Sequence, residues 1–442
     1  MVNRSDPSEK SIHTGLRRMA GVLCILLLLG VMMNANLPVV WCHPYLPEET
    51  IQTVDWENLL KKLGYSMGTA YASDSEPAKQ LNLYARAAAL IDADTGRLLY
   101  GKDAFTEYPM ASTTKIMTCL VALENGNPED IVTVSSYAAS QPEVRLGIRK
   151  GETYRLIDLL YATMLTSYND CAVAIAEHIG GSVEGFAAMM NQKARELGCY
   201  QTWYITPNGL DAQNEGGVHR TTAVDLARVL AYAIKNEDFL TITQTQSHSF
   251  ADTKGKRNFT AVNKNAFLSM MDGVLSGKTG FTNGAGYCYT AALTQNGETY
   301  VAAVLGSGWP PHKNYKWSDT GTLMNYGLEQ FSLKEIGEND LVTTVVLPVK
   351  NGICSGARIS FEWYEKVCVM APWENIYAKI CVPECLDAPV HDGSVIGGLY
   401  LYLENDPVLF IPAVVRESVD AISFPYCFWQ IFYGFFDISH KV

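Results

Sequence analysis

Residues 278–305 read KTGFTNGAGYCYTAALTQNGETYVAAVL, and their pattern decides the fold. Tyr287–Thr294 and Thr299–Leu305 are apolar runs rich in β-formers, joined by Gln295-Asn296-Gly297. Asn-Gly supplies the positive-φ pair that a tight hairpin needs, so two adjacent antiparallel strands are expected. Lys278-Thr279-Gly280 falls on a further strand just before them. Far upstream, Ala87–Ile91 and Leu98–Tyr100 flank Asp94-Thr95-Gly96, a second hairpin signal.

Helical patterns fill the interval between these strands. Ile116, Met117, Leu120, Val121 and Leu123 keep a 3.6-residue period and stop at Asn125-Gly126-Asn127-Pro128. Tyr154–Leu165, Val183–Leu197 (closed by Gly198) and Thr222–Lys235 read as further helices, with Thr222 and Asp225 spaced as a capping box. A strand pair, then helices, then consecutive strands predicts an α+β unit in which helices cover one antiparallel sheet. Beyond Ile336 the period changes again. Val342–Val349, Ala357–Trp363, Val367–Met370, Tyr377–Val382 and Leu399–Leu403 read as short strands, so a small all-β domain follows.

The two ends carry a different chemistry. Arg4, Lys10, Arg17 and Arg18 precede an apolar run over Met19–Met33, the layout of an export signal and short for a spanning helix. Asn34, Ala35 and Asn36 are the best cleavage candidates, with an uncleaved anchor as the alternative. At the other end Phe424, Tyr426, Phe428, Trp429, Phe432, Tyr433, Phe435 and Phe436 crowd into one short segment. Such a helix suits a membrane surface, or docks on the preceding domain. The expected division is 1–36 leader or anchor, 37–85 linker, 86–335 catalytic unit, 336–420 β domain and 421–442 amphipathic aromatic tail.

The 442 residues hold 34 Lys+Arg against 46 Asp+Glu, a net charge of −12, and 48% are apolar. That excludes a disordered chain and argues against nucleic acid as a partner. The 11 cysteines are scattered without a CxxC pair, and the histidines form no HExxH or HxxxH pair. Neither a disulfide framework nor a metal is implied, and no cofactor.

Three short motifs occur in one order: Ser112-Thr113-Thr114-Lys115, Ser167-Tyr168-Asn169 and Lys278-Thr279-Gly280. Ser112 begins a helix, with Lys115 one turn along on the same face. A serine hydroxyl is a weak nucleophile until a base takes its proton, and a lysine buried near another cation loses charge readily enough to be that base. The helix N-terminus offers backbone N–H groups to developing negative charge. Gly280 permits close approach of a ligand backbone.

S-x-x-K with S-D-N and K-T-G marks the penicillin-binding proteins and class A β-lactamases, and here the middle motif reads S-Y-N. With Ile91-Asp92-Ala93-Asp94-Thr95-Gly96, Thr206-Pro207-Asn208-Gly209-Leu210 and Ala285-Gly286-Tyr287 beside them, the chain resembles the serine D-alanyl-D-alanine carboxypeptidases, the low-molecular-mass penicillin-binding proteins. The resemblance spans about Arg86–Phe331. It implies a β-lactamase/transpeptidase-like catalytic fold, and it implies roles. Ser112 would be the acylated nucleophile and Lys115 its base. Ser167 and Lys278 would shuttle protons, and Asn169 would hold the substrate peptide. The N–H groups of Ser112 and Phe281 would form the oxyanion hole, and Thr279 would bind the substrate carboxylate. Relatives often clamp that carboxylate with an arginine; counting back from Asn325-Tyr326-Gly327, Lys316 falls nearest here.

The partners implied are a peptidoglycan stem peptide ending in D-Ala-D-Ala and β-lactams as covalent inhibitors, at the outer face of the cell membrane or in the wall. Endopeptidase or transpeptidase activity would use the same residues. A β-lactamase would need a deacylating E-x-x-x-N glutamate, and none of Glu177, Glu184, Glu196, Glu215 and Glu237 has Asn four residues on. A wall-binding pseudoenzyme would have no need of both lysines.

Overall fold

A computed structural model describes residues 80–336, 344–364, 366–404 and 406–438, with 55, 59–60 and 66–67. The expected leader lies outside the described residues. Five antiparallel strands form the first sheet: β1 (Ala87–Asp92), β2 (Leu98–Lys102), β3 (Val274–Thr282), β4 (Gly286–Gln295) and β5 (Glu298–Leu305), in the order β3-β4-β5-β1-β2. The β4–β5 turn has Asn296 at φ 54° and Gly297 at φ 84°, as a two-residue hairpin with right-handed twist requires. Both faces of this sheet are covered. Ala87, Ala89, Ile91, Val301 and Ala303 pack into the larger helical core, while Ala88, Leu90, Tyr300 and Ala302 pack with Leu323 and Met324. Burial on both faces is why these strands read as unbroken apolar runs and do not alternate.

Between β2 and β3 lie α1 (Lys115–Asn125), α2 (Leu156–Tyr161), α3 (Asn169–Gly180), α4 (Val183–Glu196), α5 (Ala223–Ala233) and α6 (Glu237–Gln244); α7 (Tyr315–Gln330) covers the opposite face. The helix expected over 154–165 is shorter. Thr153–Arg155 pairs as a strand with Ile131–Thr133, and α2 then widens into a π-type turn over Ala162–Thr166 that ends on Ser167 at φ 73°. The Thr222 hydroxyl caps α5 from Asp225 N–H at 3.1 Å, but the return half of the box is missing. The Asp225 carboxylate is taken instead by Thr202 Oγ1 and Gln201 N–H.

The C-terminal region builds β6 (Thr344–Lys350), β7 (Gly356–Phe361), β8 (Ile376–Cys381), β9 (Val395–Leu403) and β10 (Asp406–Val415). With short edge strands Ser66–Met67 and Leu386–Asp387 they form a seven-stranded sheet. Three differences from the sequence reading stand out. The strand β10 is not among those expected from the sequence; it contains Pro407 and Pro412, and Pro412 sits opposite Gly398 beside a bulge, where a missing N–H is tolerated. Lys366–Met370 pairs with Ser332–Ile336 in a separate ribbon, and Val369 packs in the core beside α7. Within the stretch read as a linker, Leu60 is buried in the β-domain core, and Ser66–Met67 pair in parallel with Tyr377–Ala378. Backbone pairing needs no particular side chain, so a Gly/Ser-rich composition hides it. Arg97, from the β1–β2 turn, joins the two regions by donating to Val369 O at 2.7 Å and to the Glu374 carboxylate.

Ile422 N–H donates to Asn351 O at 2.7 Å and leads into α8 (Phe424–Ile438). Phe424, Phe428 and Phe432 stack in a stripe at four-residue spacing and are exposed, as is Ile431. Among the described residues no helix is long and apolar enough to cross a membrane.

Candidate active site

Ser112 stands in a 3-10 turn, Ala111–Thr114, that leads into α1 at Lys115. Ala111 has φ 49°, a conformation unusual for a residue with a Cβ, and two hydroxyls brace the turn: Thr113 Oγ1 donates to Met110 O at 2.7 Å, Thr114 Oγ1 to Ala111 O at 2.8 Å. Lys115 has no solvent exposure, and its Nζ lies 2.9 Å from Ser112 Oγ, 2.8 Å from Asn169 Oδ1 and 2.6 Å from Asn208 O. A neutral amine has two N–H groups and one lone pair. Two acceptors and one hydroxyl match that valence, with the lone pair left for the Ser112 proton. Burial holds the Lys115 pKa well below that of an ordinary lysine, and Lys278 pushes it in the same direction.

Lys278, also buried, donates from Nζ to Ser167 Oγ at 2.9 Å and to Thr279 O at 2.9 Å. Burial, then repulsion from Lys264, brings its pKa down to about 7. Asn169 opens α3, and its amide N–H donates to Pro142 O at 3.2 Å while its oxygen serves Lys115. The neighbouring Asp170 carboxylate accepts N–H bonds from Leu146, Gly147 and Ile148 at 2.9, 2.7 and 3.2 Å, which pins that loop to the start of α3.

Strand β3 is the sheet edge that packs on the Ser112 turn. Gly280 meets this turn directly: a Cβ there would stand 2.9 Å from Ser112 N and 3.0 Å from Met110 O. Gly280 therefore lets strand β3 approach the protein's own Ser112 turn closely. Thr279 and Phe281 flank it on the same strand. Phe281 packs against Tyr287 at 4.6 Å between ring centroids, and the Lys316 ammonium lies over Tyr287 (4.9 Å) and Trp317 (4.4 Å). Lys316 also donates to the Lys313 carbonyl, and burial with Lys313 nearby lowers its pKa to about 8. Its link to β3 thus runs through the Tyr287 ring. Among the described residues no group of three or more His, Cys, Asp or Glu could hold a metal ion.

The family model described as Peptidase S11, D-alanyl-D-alanine carboxypeptidase, matches residues 73–308, more than half of the chain. The protein belongs to the D-alanyl-D-alanine carboxypeptidase family. A curated relative, D-alanyl-D-alanine carboxypeptidase DacF of Bacillus subtilis, is 28% identical over 360 residues, covering 79% of this chain and 90% of the relative. Among solved structures, the D-alanyl-D-alanine carboxypeptidase of Mycobacterium tuberculosis is 30% identical with a TM-score of 0.53, covering 58% of this chain and 95% of its own. Penicillin binding protein 5 of Haemophilus influenzae reaches a TM-score of 0.62 at 23% identity, over 78% of this chain and all of its own, a likeness of fold that extends beyond the catalytic unit.

Within this carboxypeptidase family framework the fold brings Ser112, Lys115, Ser167, Asn169 and Lys278 to one place from three separate segments. Sequence reasoning missed the Asn208 carbonyl, which receives Lys115 Nζ and lies 3.3 Å from Ser112 Oγ. Thr206-Pro207-Asn208-Gly209-Leu210 carries part of the family resemblance, but a backbone oxygen has no residue signature. Two further residues escaped notice. Gln141 Oε1 takes the Asn208 amide at 3.0 Å, and His219, nearly buried, lies 2.8 Å from Thr114 Oγ1.

Proposed function

We propose that the protein is a serine D-Ala-D-Ala carboxypeptidase that trims the terminal D-alanine from peptidoglycan stem pentapeptides and is acylated by β-lactams. The observation that carries this reading is the buried Lys115 amine seated among Ser112 Oγ, Asn169 Oδ1 and Asn208 O. The stem peptide adds along the free edge of β3, its carboxylate toward Thr279 and its scissile carbonyl at Ser112. Lys115 takes the Ser112 proton as Oγ attacks. The oxyanion is held by the N–H groups of Ser112 and Phe281, in a turn and a strand already fixed against each other. Collapse breaks the peptide C–N bond, and the proton held on Lys115 passes to the D-alanine amine through Ser167, hydrogen-bonded to Lys278, leaving Lys115 neutral. Lys115, neutral again, takes a proton from water as it attacks the acyl carbonyl, and returns that proton to Ser112 Oγ as the acyl–oxygen bond breaks. Lys316 contributes positive charge near Phe281 through Tyr287, in place of a bidentate arginine.

Labelling the purified protein with a fluorescent penicillin, with Ser112→Ala as control, and assaying D-alanine release from a pentapeptide tests this. Label at Ser112 together with D-alanine release is expected. No label would refute the acyl-serine mechanism; label without release would point to transpeptidation.

Action takes place outside the cytoplasm, after export by the leader, with α8 lying on the membrane surface. Supporting the last point, Phe424, Phe428, Ile431 and Phe432 are exposed on a helix whose start is tied to the β domain. Truncation before Phe424 should leave hydrolysis of a soluble peptide intact and reduce recovery with membranes. Unchanged recovery would refute the anchoring role.

A further inference from the structure

His219 takes no part in the chemistry above, yet its two ring nitrogens join the two backbone segments that build the nucleophile's surroundings. Nδ1 faces the N–H groups of Ile205 at 3.0 Å and Thr206 at 3.4 Å, and must accept from them. The ring proton therefore sits on Nε2, which donates to Thr114 Oγ1 at 2.8 Å. The Thr114 hydroxyl then has its own proton free for Ala111 O at 2.8 Å. The chain of donors runs one way, from the 205–206 backbone through the imidazole to the carbonyl just before Ser112.

That carbonyl is held from a second side as well. Gly209, at φ 83°, approaches so closely that a Cβ would stand 2.0 Å from Ala111 O and 2.9 Å from Thr114 Oγ1. Between Ile205 and Gly209 lies Asn208, whose carbonyl receives the Lys115 amine. His219 is itself fixed: its backbone N–H donates to Ala212 O at 2.9 Å, Tyr204 meets its ring edge-on, and 3% of its surface is exposed. A protonated ring would turn Nδ1 into a donor facing two donors. Burial, with Lys115 nearby, accordingly lowers the His219 pKa to about 4.

We propose that His219 is a positioning residue for the acyl-transfer reaction: as the neutral Nε2–H imidazole it ties the 205–209 loop to the Ala111–Thr114 turn, and so sets where the Asn208 carbonyl and the Lys115 amine stand relative to Ser112 Oγ. Two segments that meet the same lysine–serine pair are kept in register by one planar ring. A displacement of about 1 Å at such a pair costs on the order of a hundredfold in rate, so the ring acts on reactivity through geometry. The proposal rests on the acyl-serine reading given above.

The test measures the second-order rate of acylation by a fluorescent penicillin, with thermal stability, for the full chain and for H219A, H219Q, T114V, T114S and the H219A/T114V double variant. H219A and T114V are each expected to acylate about 10- to 100-fold more slowly. Because both break one chain, the double variant should be little slower than the slower single one. H219Q, which returns an amide N–H toward Thr114, should recover several-fold over H219A at matched stability, and T114S should stay near wild type. Should H219A fail to fold, the T114V against T114S comparison carries the test. Acylation of H219A within twofold of wild type, independent multiplication of the two single effects, or equal rates for T114V and T114S would overturn the proposal. Failure of the unmodified protein to label would instead strike the acyl-serine reading itself.

Discussion

Lys278→Met should make the protein more stable while removing its acylation activity. The Lys278 pKa lies near 7 in the folded chain against an ordinary 10.5, because burial disfavours the ammonium. The unfolded chain therefore binds more protons than the folded one between these values, and stability rises with pH from about 7 to about 10.5. At pH 7 the shift of about 3.5 units is nearly fully expressed, a destabilisation of about 4 kcal/mol relative to a neutral side chain. Methionine nearly matches the volume and removes that term. It also removes the hydrogen bonds to Ser167 Oγ and Thr279 O, each worth about 1 kcal/mol. The net expectation is a gain of about 2 kcal/mol at pH 7, shrinking as pH rises toward 10. Denaturant titrations of both proteins at pH 7 and pH 9, alongside penicillin acylation, measure both halves. A variant that is less stable at pH 7, or whose advantage is the same at both pH values, would show that Lys278 is not held against its own charge.

Gly280→Ala places a Cβ 2.9 Å from Ser112 N, so the turn or the strand must shift; acylation should fall by about a hundredfold with only modest loss of stability, read from labelling rate and melting temperature. Leu60→Ala, in the core of the seven-stranded sheet, should cost about 2–5 kcal/mol in that region's unfolding and leave acylation unchanged; an unaffected denaturation curve would contradict the burial of Leu60. His219 contributes in the acid range. Its folded pKa of about 4 lies below the ordinary 6.5, so the neutral-ring stability is complete above pH 6.5 and about 3 kcal/mol is lost as pH falls to 4. His219→Gln should remove that part of the acid sensitivity, and identical pH dependence in both proteins would refute it.

The elements most legible in the sequence are those set by local rules. Asn296-Gly297 announced the β4–β5 hairpin because few residues enter its positive-φ turn, and Asn125-Gly126 ended α1 where the apolar period stopped. Ser112, Lys115, Ser167, Asn169 and Lys278 were legible as candidates because each carries its chemistry in its side chain. What misled was local as well. The strand β10 is not among those expected, and the Gly/Ser-rich stretch around Ser66–Met67 reads as a linker, since neither shows what a partner strand supplies.

Sequence alone settles which side chains are present, which segments favour helix or strand, and the order of the three motifs. The tertiary structure decides their chemical state. The Lys115 amine is held well below an ordinary lysine's pKa because burial, and then Lys278, act on it, and it is seated among polar partners from three different segments. The Asn208 carbonyl and the Nε2–H form of His219 follow the same logic. Backbone oxygens look alike in every residue, and a tautomer or a pKa depends on groups that are distant along the chain and adjacent only once it has folded.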